Sequence, residues 1–135
     1  MNIYRFFTKS ILILLIIFLI PQCNAEGTKI TLWVITSYQG FTGYYIKNGE
    51  KKVNFQVTTV DAYQQATMEA EISDVDYLNI SVETDQDART VQIMIYKDNK
   101  KVKSAYEEIV FNGTIYPSTI LQLDYEYGEG EEDEE

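Results

Sequence analysis

The sequence contains no histidine and a single cysteine, Cys23. Without histidine, nucleophilic triads of the Ser-His-Asp type and His-ligated zinc are excluded. Cys23 lies in or at the edge of a leader-like segment, so the rest of the chain has no disulfide, no thiolate nucleophile and no cysteine metal site. No Gly-rich phosphate loop and no G-x-S-x-G motif is present. Basic residues are scarce, 11 against 21 acidic ones, for a net charge of −10. Phosphate contacts need clustered Lys and Arg, so nucleic acid is not an expected partner. Anionic headgroups are a poor match for the same reason, which leaves the membrane reachable only through a leader or a lipid anchor. A long apolar run is missing too. Residues 11–20 (ILILLIIFLI) make a helix of roughly 15 Å, about half a bilayer's hydrocarbon core.

That run is the right length for the apolar region of an export signal, and Arg5 and Lys9 precede it with no acid among them. Pro21 ends any helix there. Residues 1–25 therefore read as a signal segment with two modes of processing. A type I signal peptidase would cut after Ala25, using Cys23 and Ala25 as its small residues. Alternatively, Cys23 is lipidated and becomes the first residue of a bacterial lipoprotein, although Gln22 is larger than such signals usually place before the cysteine. An uncleaved anchor is the third outcome. The expected location is extracytoplasmic: secreted, periplasmic or lipid-anchored. Removing Arg5 and Lys9 leaves nine basic residues and a charge of −12.

Helical periodicity is nearly absent, and alternation with period two takes its place. Residues 53–58, 68–72 and 76–83 each place apolar side chains on one face and polar ones on the other, and residues 90–96 set Val91, Ile93 and Ile95 opposite Thr90, Gln92, Met94 and Tyr96. Residues 29–36 carry Ile30, Leu32 and Val34 on one face and Trp33 and Ile35 on the other, the pattern of a strand covered on both sides. Asn48-Gly49 lies between residues 44–46 and 53–57, and Asp98-Asn99 between 91–96 and 102–106. Both are tight-turn pairs that tolerate positive φ. Residues 85–88 read as a polar loop, residues 119–125 as a last strand, and residues 61–71 as a loop followed by a strand rather than a helix. Seven or eight strands spaced by roughly 8–12 residues point to an all-β, antiparallel sandwich over residues 26–127. Eight acids fall between Asp124 and Glu135 with no base, so residues 26–123 are near −4 and residues 128–135 (GEGEEDEE) are expected to be a disordered tail.

The run Leu78-Asn79-Ile80-Ser81-Val82, a polar loop, and then Thr90-Val91-Gln92-Ile93-Met94-Ile95-Tyr96-Lys97-Asp98-Asn99-Lys100-Lys101-Val102-Lys103-Ser104 resembles the soluble domain of the mycobacterial small membrane protein (MmpS) family. That family has a V-x-V-x-I-Y strand, a D-G-like turn and K-x-V-K. Residues 30–34 and 43–52 are similar to its opening strands. The likeness runs from Lys29 to about Ala105. Two features depart from it: the family's Pro-Trp motif has no counterpart in residues 57–63, and Asn99 stands where the second turn has glycine. The resemblance implies an immunoglobulin-like sandwich outside the cytoplasmic membrane. It does not carry over the family's role, accessory to lipid export, which also needs a membrane-anchored partner; a place accessory to a membrane transporter stays one form that an interaction module of this kind could take. Fold alone does not fix function.

Candidate sites are few. Asp74 and Asp76, and Asp85 and Asp87, are spaced so that two carboxylates could face one calcium ion, and the pairs are expected near one end of the sandwich. Aspartate also favours turns, and that explanation is preferred. Tyr38, Phe41, Tyr44, Tyr45 and Tyr63 crowd the first third of the domain and are candidates for contact with a partner. Tyr44 and Tyr45 are adjacent, so one must face outward. Glu107-Glu108 are the nearest approach to an acid–base pair, and nothing marks them as catalytic. Asn79-Ile80-Ser81 and Asn112-Gly113-Thr114 match the glycosylation triplet by chance. The sequence thus predicts no enzyme and no cofactor. It predicts a module that contacts another envelope protein, with a small-ligand or lipid carrier enclosing an apolar cavity as the alternative.

Overall fold

The computed structural model describes residues 28–129. The leader, with the Cys23 lipidation candidate, and tail residues 130–135 lie outside the described residues. Eight strands follow one another: β1 Ile30–Ser37, β2 Phe41–Lys47, β3 Val53–Val57, β4 Gln65–Ile72, β5 Tyr77–Thr84, β6 Thr90–Lys97, β7 Lys100–Glu108 and β8 Ile120–Glu126. They form two four-stranded sheets, β4-β1-β6-β7 and β3-β2-β5-β8. Every pairing is antiparallel.

The alternation in the sequence becomes the core directly. Ile30, Leu32 and Val34 of β1, Val91, Ile93 and Ile95 of β6, and Leu78, Ile80 and Val82 of β5 are all at or below 1% exposed. Phe41, Leu123 and Tyr125 complete the layer between the sheets. Gly43 leaves room for Phe55, whose ring would lie 2.5 Å from a Cβ at that position. Burial of these side chains stabilises the fold by about 1.5–3 kcal/mol each before chain entropy is counted.

β1 pairs with β4 in one sheet and β2 with β5 in the other, while the β1–β2 and β4–β5 connections each cross between sheets. These are the relations of strands B, E, C and F in an immunoglobulin-like sandwich. The β6–β7 hairpin is laid beside β1 and completes its sheet.

The two expected hairpin turns are present. Asn48 and Gly49 have φ of 50° and 70°, and Asp98 and Asn99 have 51° and 62°. Positive φ at both central positions is the type I′ signature that matches strand twist. A bulge between Ile95 and Tyr96 in the β6–β7 register adds twist to that hairpin. Residues 61–64 form a loop before β4, as the alternation predicts. Three expectations change. Trp33 and Ile35 are half-buried, and no described residue layers over that side of β1. The last strand runs one residue past Tyr125, to Glu126. The start of the tail is also placed: beyond Tyr127, whose amide donates to the Asp76 carbonyl, Glu129 accepts from Lys103 at 2.6 Å and from the Glu126 amide.

Candidate functional site

Strand direction sorts the connections onto two ends. Thr28, the β2–β3, β4–β5 and β6–β7 connections and Tyr127 share one end, the turn end. The β1–β2, β3–β4, β5–β6 and β7–β8 connections share the other, the loop end. Strands of about eight residues separate the two by roughly 26 Å.

At the loop end a cluster forms from three segments distant in sequence. The Arg89 guanidinium carbon lies 4.0 Å from the Tyr38 ring centroid and 5.3 Å from that of Tyr116. The Phe111 and Tyr116 rings are 5.2 Å apart and tilted by 46°. Each member is held by its backbone. Tyr38 sits at φ 72°, a conformation that a bulky residue adopts only at a cost. Its amide donates to the Gln64 carbonyl at 2.7 Å. Arg89 is fixed through its amide to the Ser37 carbonyl and through its carbonyl to Ile109, and the neighbouring Ala88 and Ile109 are buried. Asp87 Oδ1 accepts from the Tyr116 amide at 3.2 Å, while the Asp87 amide donates back to the Tyr116 carbonyl. Asn112 Oδ1 accepts from Thr114 and Ile115 and turns the long β7–β8 loop so that Phe111 meets Tyr116. Tyr63 is 85% exposed on the adjoining loop, with Asp61 Oδ1 holding the Tyr63 and Gln65 amides.

The predicted contact residues therefore divide. Tyr38 and Tyr63 are exposed at the loop end. Tyr44 faces outward under the Lys52 ammonium, 3.8 Å from its ring, while Tyr45 packs on the core, as adjacency on a strand requires. Phe41 is a correction. It is fully buried, edge-on to Phe55, because it shares the inward face of β2 with Gly43 and Tyr45. The aspartate pairs are a second correction: they flank β5 at opposite ends rather than meeting at one. Asp74 and Asp76 are organised around the Asn48 side chain, which donates to the Asp74 carbonyl and accepts from the Asp76 and Tyr77 amides. Among the described residues no three His, Cys, Asp or Glu side chains gather as metal ligands would. Glu107 and Glu108 are exposed on edge strand β7.

Sequence reading missed Arg89, Phe111 and Tyr116. Their signal was present: Arg89 is the one arginine outside the leader, and Phe111 and Tyr116 stand in a stretch without alternation. Charge separates the ends as well, since all eight described lysines lie away from the loop-end connections and Arg89 is the only base on them. Between the sheets the buried side chains of both form one apolar cluster. Described clefts of about 450 and 330 Å³ open on the outer faces, the larger beside Trp33 and Met94 and the smaller beside Tyr44 and Ser81.

No family model, no curated protein and no solved structure matches the chain.

Proposed function

We propose that the protein is a non-enzymatic, exported bacterial envelope protein whose loop end binds another envelope protein. The observation that carries the proposal is the cluster Tyr38–Arg89–Tyr116–Phe111, at the end opposite Thr28. Tyrosine and arginine dominate the energetic centres of protein interfaces, because they bring large apolar area together with directional polar groups. Stacking on two rings also pre-orders the Arg89 side chain, which lowers the entropy lost on contact. If residues 1–25 or a lipid on Cys23 tie the chain to a membrane, the cluster faces away from it. The apolar cluster that joins the two sheets supports contact rather than carriage of a small ligand.

A photo-reactive residue at position 63, introduced into the protein in its host envelope, tests the reading. A discrete adduct that disappears in Arg89→Ala is expected, with none when the probe stands at position 51 on the turn end. Adducts from position 51 alone, or from neither position, would overturn it. Intact mass should give a chain beginning at Glu26, or at Cys23 with a diacylglyceryl group. An unprocessed cytoplasmic chain would defeat the export part.

A further inference from the structure

The outer face of the β4-β1-β6-β7 sheet carries an ordered pattern that the loop-end reading does not use. The register defines three rows across it: Glu71, Thr31, Tyr96, Lys101; then Glu69, Trp33, Met94, Ser104; then Thr67, Ile35, Gln92, Tyr106. The centre of the face is apolar, with Trp33, Ile35, Met94 and Tyr96 half-buried around the 450 Å³ cleft. The Tyr96 hydroxyl rests against Met94 sulfur at 3.7 Å. The β4 rim is acidic, with Glu69 and Glu71 exposed and Glu71 in contact with the Lys29 ammonium of its own chain at 2.9 Å, and the β7 rim presents exposed Lys101.

We propose that this face binds a second copy of the same chain, through a two-fold axis running parallel to the strands. Such an axis turns the face onto itself while keeping every row at its own height, and it exchanges the β4 rim with the β7 rim. Glu71 of each copy then meets Lys101 of the other, and Trp33 packs on Met94. A two-fold interface must be self-complementary, and this face meets that condition, with acid on one rim and base on the other in the first row and an apolar pair at the centre of the second. The rotation also leaves both Thr28 ends on the same side, as two chains tied to one membrane require. Four strands about 4.8 Å apart and about eight residues long present roughly 500 Å² per copy. Together that is about 1,000 Å², the lower bound for a specific interface, as expected of a dimer in exchange with its monomer.

Trp33 is the sole tryptophan of the chain, so its fluorescence reports this face. Sedimentation of the processed protein from about 1 to 500 μM should show a rise from monomer to dimer mass, with the Trp33 emission moving to the blue in parallel. Glu71→Lys and Lys101→Glu should each weaken association by about tenfold, through like charges facing across the interface. The double exchange should restore it to within about threefold, with the melting temperatures of all variants, taken at monomeric concentration, within about 3 °C of the parent, since the exposed Lys29–Glu71 pair lost in Glu71→Lys is weak. A monomer at every concentration overturns the proposal. So does a double exchange no tighter than the singles, or a blue shift that occurs only when anionic vesicles are added to monomeric protein.

Discussion

At the turn end the connections are short, and each non-glycine residue there with positive φ is Asn or Asp: Asn48, Asp74, Asp98 and Asn99. Those residues reach the left-handed region most readily. At the loop end the connections run from three residues, at Tyr38–Gly40, to 11, between β7 and β8. Positive φ falls there on Tyr38 and Gln64 as well as Asp87. Tyrosine and glutamine gain nothing from that backbone, so about 1–3 kcal/mol at each is offset by surrounding contacts. Long-range hydrogen bonds tie both ends, Asn48 to residues 74–77 at one and Asp87 to Tyr116 at the other, but the positive φ suits the residue type only at the turn end, and the loop end carries the aromatic cluster. Strain and exposed aromatics coincide, as they do where a surface is shaped for contact rather than for stability.

The contrast can be broken at its tightest point. A Cβ on Gly40 would lie 2.1 Å from the Val57 carbonyl oxygen, a backbone atom that cannot rotate away. Gly40→Ala should lower stability by about 2–3 kcal/mol and the melting temperature by on the order of 10 °C, measured by calorimetry. A neutral result would mean that the loop end yields. At the other end, Asn48→Ala removes three side-chain hydrogen bonds and places alanine at φ 50°. A loss of about 1–2 kcal/mol is expected in urea unfolding. Asn48→Gly, which keeps the dihedral, should separate the two causes. Asn99→Gly should raise stability by about 0.5 kcal/mol, since glycine reaches φ 62° without steric cost. No gain would show that Asn99 contributes more than its backbone angle.

The smallest effect concerns pH. The Lys103 ammonium and the Glu126 amide hold the Glu129 carboxyl below its ordinary value of 4.5. A lowered value means that the contact contributes above the ordinary range and is lost as pH falls through the shifted value. Glu129→Gln should therefore melt slightly below the parent protein at neutral pH and level with it in acid. A difference that persists in acid would assign the effect to packing instead.

The strands were legible because antiparallel sheets with one wet face write their period into the chain, and the Asn-Gly and Asp-Asn pairs marked the tight turns. Three things were not legible, each for a physical reason. Sheet order depends on which faces meet in space, so the position of β6–β7 beside β1 left no local trace. The uncovered side of β1 was misread because Trp33 and Ile35 pattern identically whether the cover is part of this chain or another molecule. Arg89 meets Tyr38 across about 50 residues of sequence, through a contact between loops that no spacing rule describes. Phe41 was grouped with its tyrosine neighbours by proximity, although the alternation Phe41, Gly43, Tyr45 already assigned it inward.

The place of β1 in its sheet also governs the order in which this chain can become a folded one. It is the first strand to be made and lies in the interior of its sheet, yet neither of its partners is near it in sequence. Ile30 must wait for Ile72 and Thr31 for Tyr96. A chain appearing amino end first can close the β2–β3 hairpin locally, but it cannot complete the β1 ladders until β6 has emerged. Contacts of such long sequence separation place folding in the slow range of two-state domains, of order milliseconds to seconds. From the completion of β1 until β4 is made, 35 residues later, the molecule has its most apolar described strand available and nothing to pair it with.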